Sequence, residues 1–430
     1  MYIKEIHIEN FKGFENKRFF FDPKFNVAIG KNAMGKSTLL HAMQVVLGGY
    51  LQCLDIPASR NYRRQYKSGE TFVKWNIDER SYMQNSGPTQ ISTIAKFSHI
   101  PEDTWWKRVM LRNNTTSHNR HDTGALMSAV AQLLEQKQIV QVPMPIVASF
   151  GTERAVAQLR KGKKAQSRRT SREKAFLAAL SNKVDFDGVI EWIHNYDKEL
   201  QYEKEFPGTK DAVFNAIQVA IPFLNNIEYN SYYQEFEAEV IIDENRVGKT
   251  LHSNMSDGLR AMLNLVAEIA FRCVVLNGFK RERAVIDTEG VVLIDELDMH
   301  LHPTWQKHVV QNLKEAFPKL QFIVTTHSPF IVQSISANEL INLDVETAID
   351  PKDYSIEVIS EEIMDVDGSY SIEKSEEESQ SVDYFTLLEE AANSDDKDGY
   401  KIRLEQLENA ITDTGLRAYL KTHRIAKNII

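Results

Sequence analysis

Apolar side chains follow two periods along this chain, and the changes between them mark its elements. Ile6 and Ile8 alternate with polar neighbours, Phe19 to Phe21 follow a glycine turn at Gly13, and Phe25-Asn26-Val27-Ala28-Ile29 is a short apolar run. This alternation predicts a β-meander. Leu39 to Leu47 then takes helical spacing, with Gly48-Gly49 as its expected stop. From Gln52 to Arg120 short strand-like pieces, Phe72 to Trp75 and Lys107 to Leu111, alternate with polar turns and predict a peripheral antiparallel sheet. Helical spacing returns over Gly124 to Gln136, Phe186 to Glu205, Ala212 to Ala220, Leu259 to Val275 and Pro303 to about Phe317. Between these helices lie the apolar runs Pro143 to Phe150, Gly290 to Ile294 and Leu320 to Thr326, and the strand-like Glu237 to Asp243. Continuous apolar runs alternating with helices predict an α/β fold around a buried parallel sheet.

Past Leu343 the pattern dissolves. Ser360 to Ser381 and Asn393 to Asp396 are rich in acids and serines, and Tyr400 to Ile430 regains helical spacing. The expected division is one large domain over 1–345 and an acidic linker with helical tail over 346–430. The domain subdivides into an amino-terminal lobe (1–155), a helical and basic insertion (156–235) and a lobe carrying the second set of motifs (236–345). At 430 residues the chain exceeds one small core, so insertions or two domains are the expectation.

Composition narrows the setting. A net charge of -9 argues against a wholly nucleic-acid-binding surface, so such contact is confined to local basic patches. Arg160 to Lys174 is one, read either as a solvated insertion loop or as a contact to DNA or RNA backbone. Arg60, Arg63, Arg64 and Lys67, interleaved with Tyr62 and Tyr66, are another, suited to single-strand stacking or to plain packing. Cys53 and Cys273 stand far apart, which excludes a disulfide framework and fits a reducing cytoplasm. No apolar run is long enough to span a bilayer, so no membrane contact is expected.

The candidate chemistry sits at the ends of the apolar runs. Gly30-Lys31-Asn32-Ala33-Met34-Gly35-Lys36-Ser37-Thr38 follows a strand and opens a helix, the context required of the G-x-x-x-x-G-K-[ST] phosphate loop. Gly30, Asn32 and Gly35 shape a cradle of backbone N–H groups, Lys36 reaches the β and γ phosphates of ATP, and Ser37, followed by Thr38, ligates Mg²⁺. Gly290 to Ile294 ends in Asp295-Glu296. In phosphoryl transfer the first carboxylate supports Mg²⁺ and the second aligns or deprotonates water. Met255-Ser256-Asp257-Gly258-Leu259-Arg260 places Ser256 and Gly258 at a helix amino terminus, where N–H groups suit a γ-phosphate, although the same pattern makes an ordinary cap. His327 leaves a buried strand where it can hydrogen-bond that phosphate. Asp298, His300 and His302 are too few for a zinc shell, and His302 beside Pro303 reads as the start of a helix.

These motifs, with Ile6-His7-Ile8-Glu9-Asn10-Phe11-Lys12-Gly13-Phe14 at the start, resemble the RecF, SMC and OLD branch of ABC-type ATPases. The resemblance implies an ABC-type head that works as a homo-dimer or higher oligomer. Ser256 and Gly258 would be its signature, acting on the nucleotide of the opposite subunit, Leu297-Asp298 its D-loop and His327 its switch. No heptad pattern separates Ser37 from Ser256, so no long coiled coil is expected. Nothing after Leu343 makes a Toprim nuclease, Leu343-Asp344-Val345-Glu346 being too weak a candidate. With Ser149 to Arg154 and its variable tail, the chain resembles the PtuA-type ATPases of Septu anti-phage systems. That likeness implies a separate PtuB-type HNH nuclease subunit; the alternative is a RecF-like DNA-maintenance ATPase without one.

Overall fold

The computed structural model describes residues 1–31, 34–54, 64–76, 81–84, 87–111, 116–139, 141–152, 172–242, 245–344, 350–366, 381, 383–391, 397–411 and 414–427. The described chain divides into two compact units, Met1–Ile359 and Ser360–Ile430. Pro351 and Ile359, at the end of the first unit, are buried.

Strands β1 (Tyr2–Phe11) and β2 (Phe14–Phe20) form a hairpin. The expected meander stops there. β3 (Phe25–Ile29) is buried at every position and joins a different, parallel sheet, as a continuous apolar run requires and an alternating one does not. Helix α1 (Lys36–Cys53) follows and does not end at Gly48-Gly49. A Cβ on Gly48 would lie 2.6 Å from the Arg64 carbonyl oxygen, so this glycine admits a crossing chain and is no helix stop. α1 packs against β1 and against two later strands of the same antiparallel sheet, β6 (Gln90–Lys96) and β7 (Asp103–Val109), and is apolar almost all round, as a helix buried on several sides must be.

The remaining elements of the first unit come in chain order. β4 (Val73–Asn76) pairs with β5 (Ser81–Gln84), and β6 (Gln90–Lys96) and β7 (Asp103–Val109) complete an antiparallel sheet of order β2-β1-β6-β7. α2 (Arg120–Ile139), β8 (Ile146–Phe150), α3 (Phe186–Gln201) and α4 (Thr209–Ala220) follow. β9 (Leu224–Asn230), β10 (Glu235–Ile242) and β11 (Asn245–Leu251) form a second antiparallel sheet, of which only β10 is evident from hydrophobic pattern. Then come α5 (Asp257–Asn277), β12 (Gly290–Ile294), α6 (Pro303–Ala316), β13 (Leu320–Thr325), α7 (Pro329–Gln333) and β14 (Leu340–Asn342).

The parallel sheet has order β14-β3-β13-β12-β8. Its register sets Ile294 of β12 beside Val324 of β13, and Thr325 of β13 beside Ala28 of β3. The carboxyl ends of β3, β13 and β12 therefore emerge side by side, where an open α/β sheet holds ligands. This is the α/β, ABC-type arrangement of parallel core, antiparallel subdomain and helical insertion. The longest described helix, α5, has 21 residues, far short of a coiled-coil arm.

The second unit contains helical residues 383–391 and the helices Lys397–Ala410 and Thr414–Ala426. Tyr384, Leu388, Ala391, Leu404, Ile411 and Leu420 form its core. Tyr384 donates its hydroxyl to Glu408 at 2.7 Å, and Arg424 pairs with the same carboxylate at 2.7 Å.

Candidate active site

β3 delivers the chain into the phosphate loop through Gly30 (φ 153), and α1 starts after Gly35 (φ 107), two backbone conformations that L side chains seldom adopt. A Cβ on Gly35 would lie 2.6 Å from the Phe14 ring. The aromatic residue of the amino-terminal motif thus packs directly on the loop. Gly35 offers no side-chain cap, and the first turn of α1 holds no acid, so its N–H groups are left to an anion. Lys36 is buried, and its Nζ donates to the carbonyl oxygens of Gly30 and, at 3.3 Å, of Lys31. Burial pushes its pKa down, against the supporting charge of Asp344, then of Asp295, Glu296 and Asp298. Asn32 lies outside the described residues, and Thr38 is in the first turn of α1.

β12 brings Asp295 to the Ser37 side of this loop. Ser37 Oγ stands 3.3 Å from Asp295 Oδ2, and Thr325 Oγ1 donates to Asp295 Oδ1 at 2.6 Å. One carboxylate oxygen is thereby anchored while the other faces the serine. Two hard oxygens converging in this way fit Mg²⁺, which takes few protein ligands and fills its shell with water and phosphate oxygens. Among the described residues no group of three or more His, Cys, Asp or Glu side chains forms a metal cage.

Thr325 Oγ1 also accepts from Glu296 N–H at 2.8 Å, and Glu296 takes a left-handed backbone (φ 51). The strained turn separates the two neighbouring carboxylates. Asp298 Oδ1 accepts from Thr326 Oγ1 at 2.6 Å and from His327 N–H at 3.3 Å, so Asp298 holds the loop carrying the exposed His327. His302 accepts from Thr304 N–H at the start of α6, 3.3 Å away, which confirms it as a helix-start residue. Thr325 and Thr326 carry no motif, and their only signal in sequence is a pair of hydroxyls ending an otherwise apolar strand.

Ser256 occupies the residue before α5 but makes no side-chain cap, so the expectation that it caps the helix is corrected: the hydroxyl is exposed. Asp257 pairs instead with Arg260 on the same turn. Gly258 is required by its neighbour, since a Cβ there would lie 2.1 Å from the His300 carbonyl oxygen. The start of α5 and the turn after Glu296 are thereby in close backbone approach.

Behind the loop, Lys12 donates to His41 Nδ1 at 2.9 Å and pairs with Glu70 at 3.3 Å. Burial, then the charges of Lys12 and Arg64, lower the His41 pKa to about 4. Arg64 pairs with Glu70, and Tyr66 is buried with its hydroxyl on the Arg108 carbonyl at 2.9 Å. This part of the basic-aromatic cluster is core and not a nucleic-acid face; Arg60, Tyr62 and Arg63 lie outside the described residues. Of the Arg160 to Lys174 segment, residues 160–171 lie outside them, as do Glu153 and Arg154. Arg172 is turned inward and donates to the Val142 carbonyl at 2.7 Å.

Residues 2–348 match the family described as RecF/RecN/SMC N terminal domain. Among curated proteins, the chain is 26% identical to the Retron Ec83 probable ATPase of Escherichia coli, over 79% of this chain and 70% of that one. It is 24% identical to the Retron Vc95 probable ATPase of Vibrio cholerae, over 83% and 75%. Identity to the Septu protein PtuA of Bacillus thuringiensis is 25%, over 85% and 84%. With a parallel sheet that gathers phosphate loop, carboxylate pair and histidine at one edge, and a family match over most of its length, the chain belongs to the RecF/RecN/SMC N-terminal-domain family and is an ATPase.

Proposed function

We propose that this ATPase is the subunit of an anti-phage defence complex that binds and hydrolyses ATP to control a separate HNH nuclease. The observation that carries this reading is the likeness to Septu PtuA, spread over most of both chains. Residues 1–345 supply the head, and 346–430 supply contacts to the nuclease or to another copy.

In this mechanism Gly30, Asn32, Gly35, Lys36 and the first turn of α1 hold the phosphates, and Ser37, Thr38 and Asp295 shape the Mg²⁺ position. Mg²⁺ bound there neutralises charge on the β and γ oxygens. Glu296 positions the attacking water and takes its proton, and His327 contacts the γ-phosphate and registers its loss. Ser256 and Gly258 complete the site of a second copy, so assembly follows nucleotide occupancy. Short Thr325 and Thr326 bonds to Asp295 and Asp298 support this reading, because they tie the metal, water and sensor positions to one strand end.

Affinity purification of the tagged protein from its host, with mass spectrometry of what co-purifies, tests the proposal. A small HNH protein at fixed stoichiometry is expected. A different effector at fixed stoichiometry would keep the ATP gate and overturn the nuclease; DNA or repair proteins alone would favour DNA maintenance instead.

A further inference from the structure

One carboxylate reaches the phosphate loop from a strand to which the mechanism above gives no task. β14 pairs in parallel with β3, and beyond it Leu343 N–H donates to Ile29 O at 3.0 Å. Asp344 is thereby delivered beside the turn at Gly30. Lys31 N–H donates to Asp344 Oδ2 at 2.7 Å, while Asp344 N–H is held by Asn342 Oδ1 at 3.0 Å. The fit is close, since a Cβ on Gly30 would lie 3.1 Å from Leu343 Cβ and 3.4 Å from Asp344 Oδ2.

The other oxygen, Asp344 Oδ1, is buried with no hydrogen-bond partner among the described residues. A buried carboxylate oxygen without a donor is costly, and a nearby cation is what offsets it. Lys36 is the nearby cation: it donates to the carbonyl oxygens of Gly30 and Lys31, the two residues against which Asp344 rests, and the Asp344 carboxylate supports its charge.

We propose that Asp344 is a built-in counter-charge for Lys36 that competes with nucleotide phosphates and so holds the affinity of the phosphate loop down. This rests on the reading of residues 30–38 as the phosphate cradle. Phosphates arriving at Lys36 meet a fixed carboxylate that both shares the ammonium and repels them. The repulsion grows with phosphate charge, so ATP is affected more than ADP, and release after hydrolysis is eased.

The test titrates the full chain with fluorescent ATP and ADP analogues in the presence of Mg²⁺, comparing wild type, Asp344→Asn, Asp344→Ala and Lys36→Ala. Asp344→Asn keeps an acceptor for Lys31 N–H and loses the charge; affinity for the ATP analogue should rise about tenfold, and for the ADP analogue by less. Asp344→Ala also loses the bond to the loop, so hydrogen exchange at the Lys31 amide should accelerate in that variant and not in Asp344→Asn. Unchanged or weaker ATP binding by Asp344→Asn, with binding lost in Lys36→Ala, would overturn the counter-charge while leaving the cradle intact. Wild-type binding by Lys36→Ala would overturn the cradle, and the counter-charge with it.

Discussion

At the scale of single residues, the site works through groups whose charge is set by what encloses them. His41 accepts from Lys12, which requires a neutral ring, and its pKa of about 4 accords with that. The unfolded chain takes up this proton near the ordinary histidine value of about 6.5. Between about pH 6.5 and about pH 4 the unfolded state therefore holds more protons than the folded one, and stability falls as pH falls through that window. His41→Gln keeps an acceptor for Lys12 and removes the titration. Urea midpoints measured at pH 7 and pH 5 should differ less in this variant than in wild type; an equal difference would show that His41 is not held neutral. Thr325 illustrates the same dependence on surroundings without titrating, since one hydroxyl sets both the Asp295 oxygen and the Glu296 backbone.

At the scale of elements, backbone approach decides which glycines matter. Gly258 in the first turn of α5 faces the His300 carbonyl, whereas Gly124 in α2 has nothing within 4 Å of a built Cβ. Gly124→Ala should stabilise the protein by up to about 1 kcal/mol through reduced chain entropy. Gly258→Ala should cost ~1–3 kcal/mol because the D-loop backbone must move. Denaturant unfolding of the two variants checks both signs, and ATP turnover should fall in Gly258→Ala alone.

The elements also show why some of the fold was legible in sequence and some was not. β12 and β13 are largely apolar runs ending in motif residues, so their burial and chemistry could be read together, whereas β3 reads as a meander strand until its parallel partner β13 is known. β9 and β11 were missed because Leu224–Asn230 and Asn245–Leu251 are largely polar, and pairing with β10 is what makes them strands. Gly48 was misread because a crossing chain at Arg64 leaves no local trace. Arg64 and Tyr66 suit either stacking on a single strand or plain packing in sequence, and the choice falls to packing only through Glu70 and Arg108, partners that the tertiary fold supplies. Asp344 and Thr325 are single polar residues at strand ends, meaningful only once the strand order is known.

At the scale of the whole molecule, the account is of a head whose own chain offers Ser256 outward, uncommitted to its helix, while Lys36, Asp295 and Glu296 gather elsewhere on the sheet edge. In the proposed mechanism this division of labour makes association the consequence of nucleotide occupancy. No described helix is long and apolar enough to cross a membrane. Among its described residues the second unit has a core of its own.

The central claim is tested most directly by the molar mass of the full chain, carrying Glu296→Gln to block hydrolysis, measured by light scattering with and without Mg²⁺ and ATP. The account predicts that ATP doubles the mass of the basic assembly and that adding Ser256→Arg prevents the change while nucleotide still binds. The same mass with and without ATP, in protein shown to have bound it, would contradict ATP-gated association of the heads.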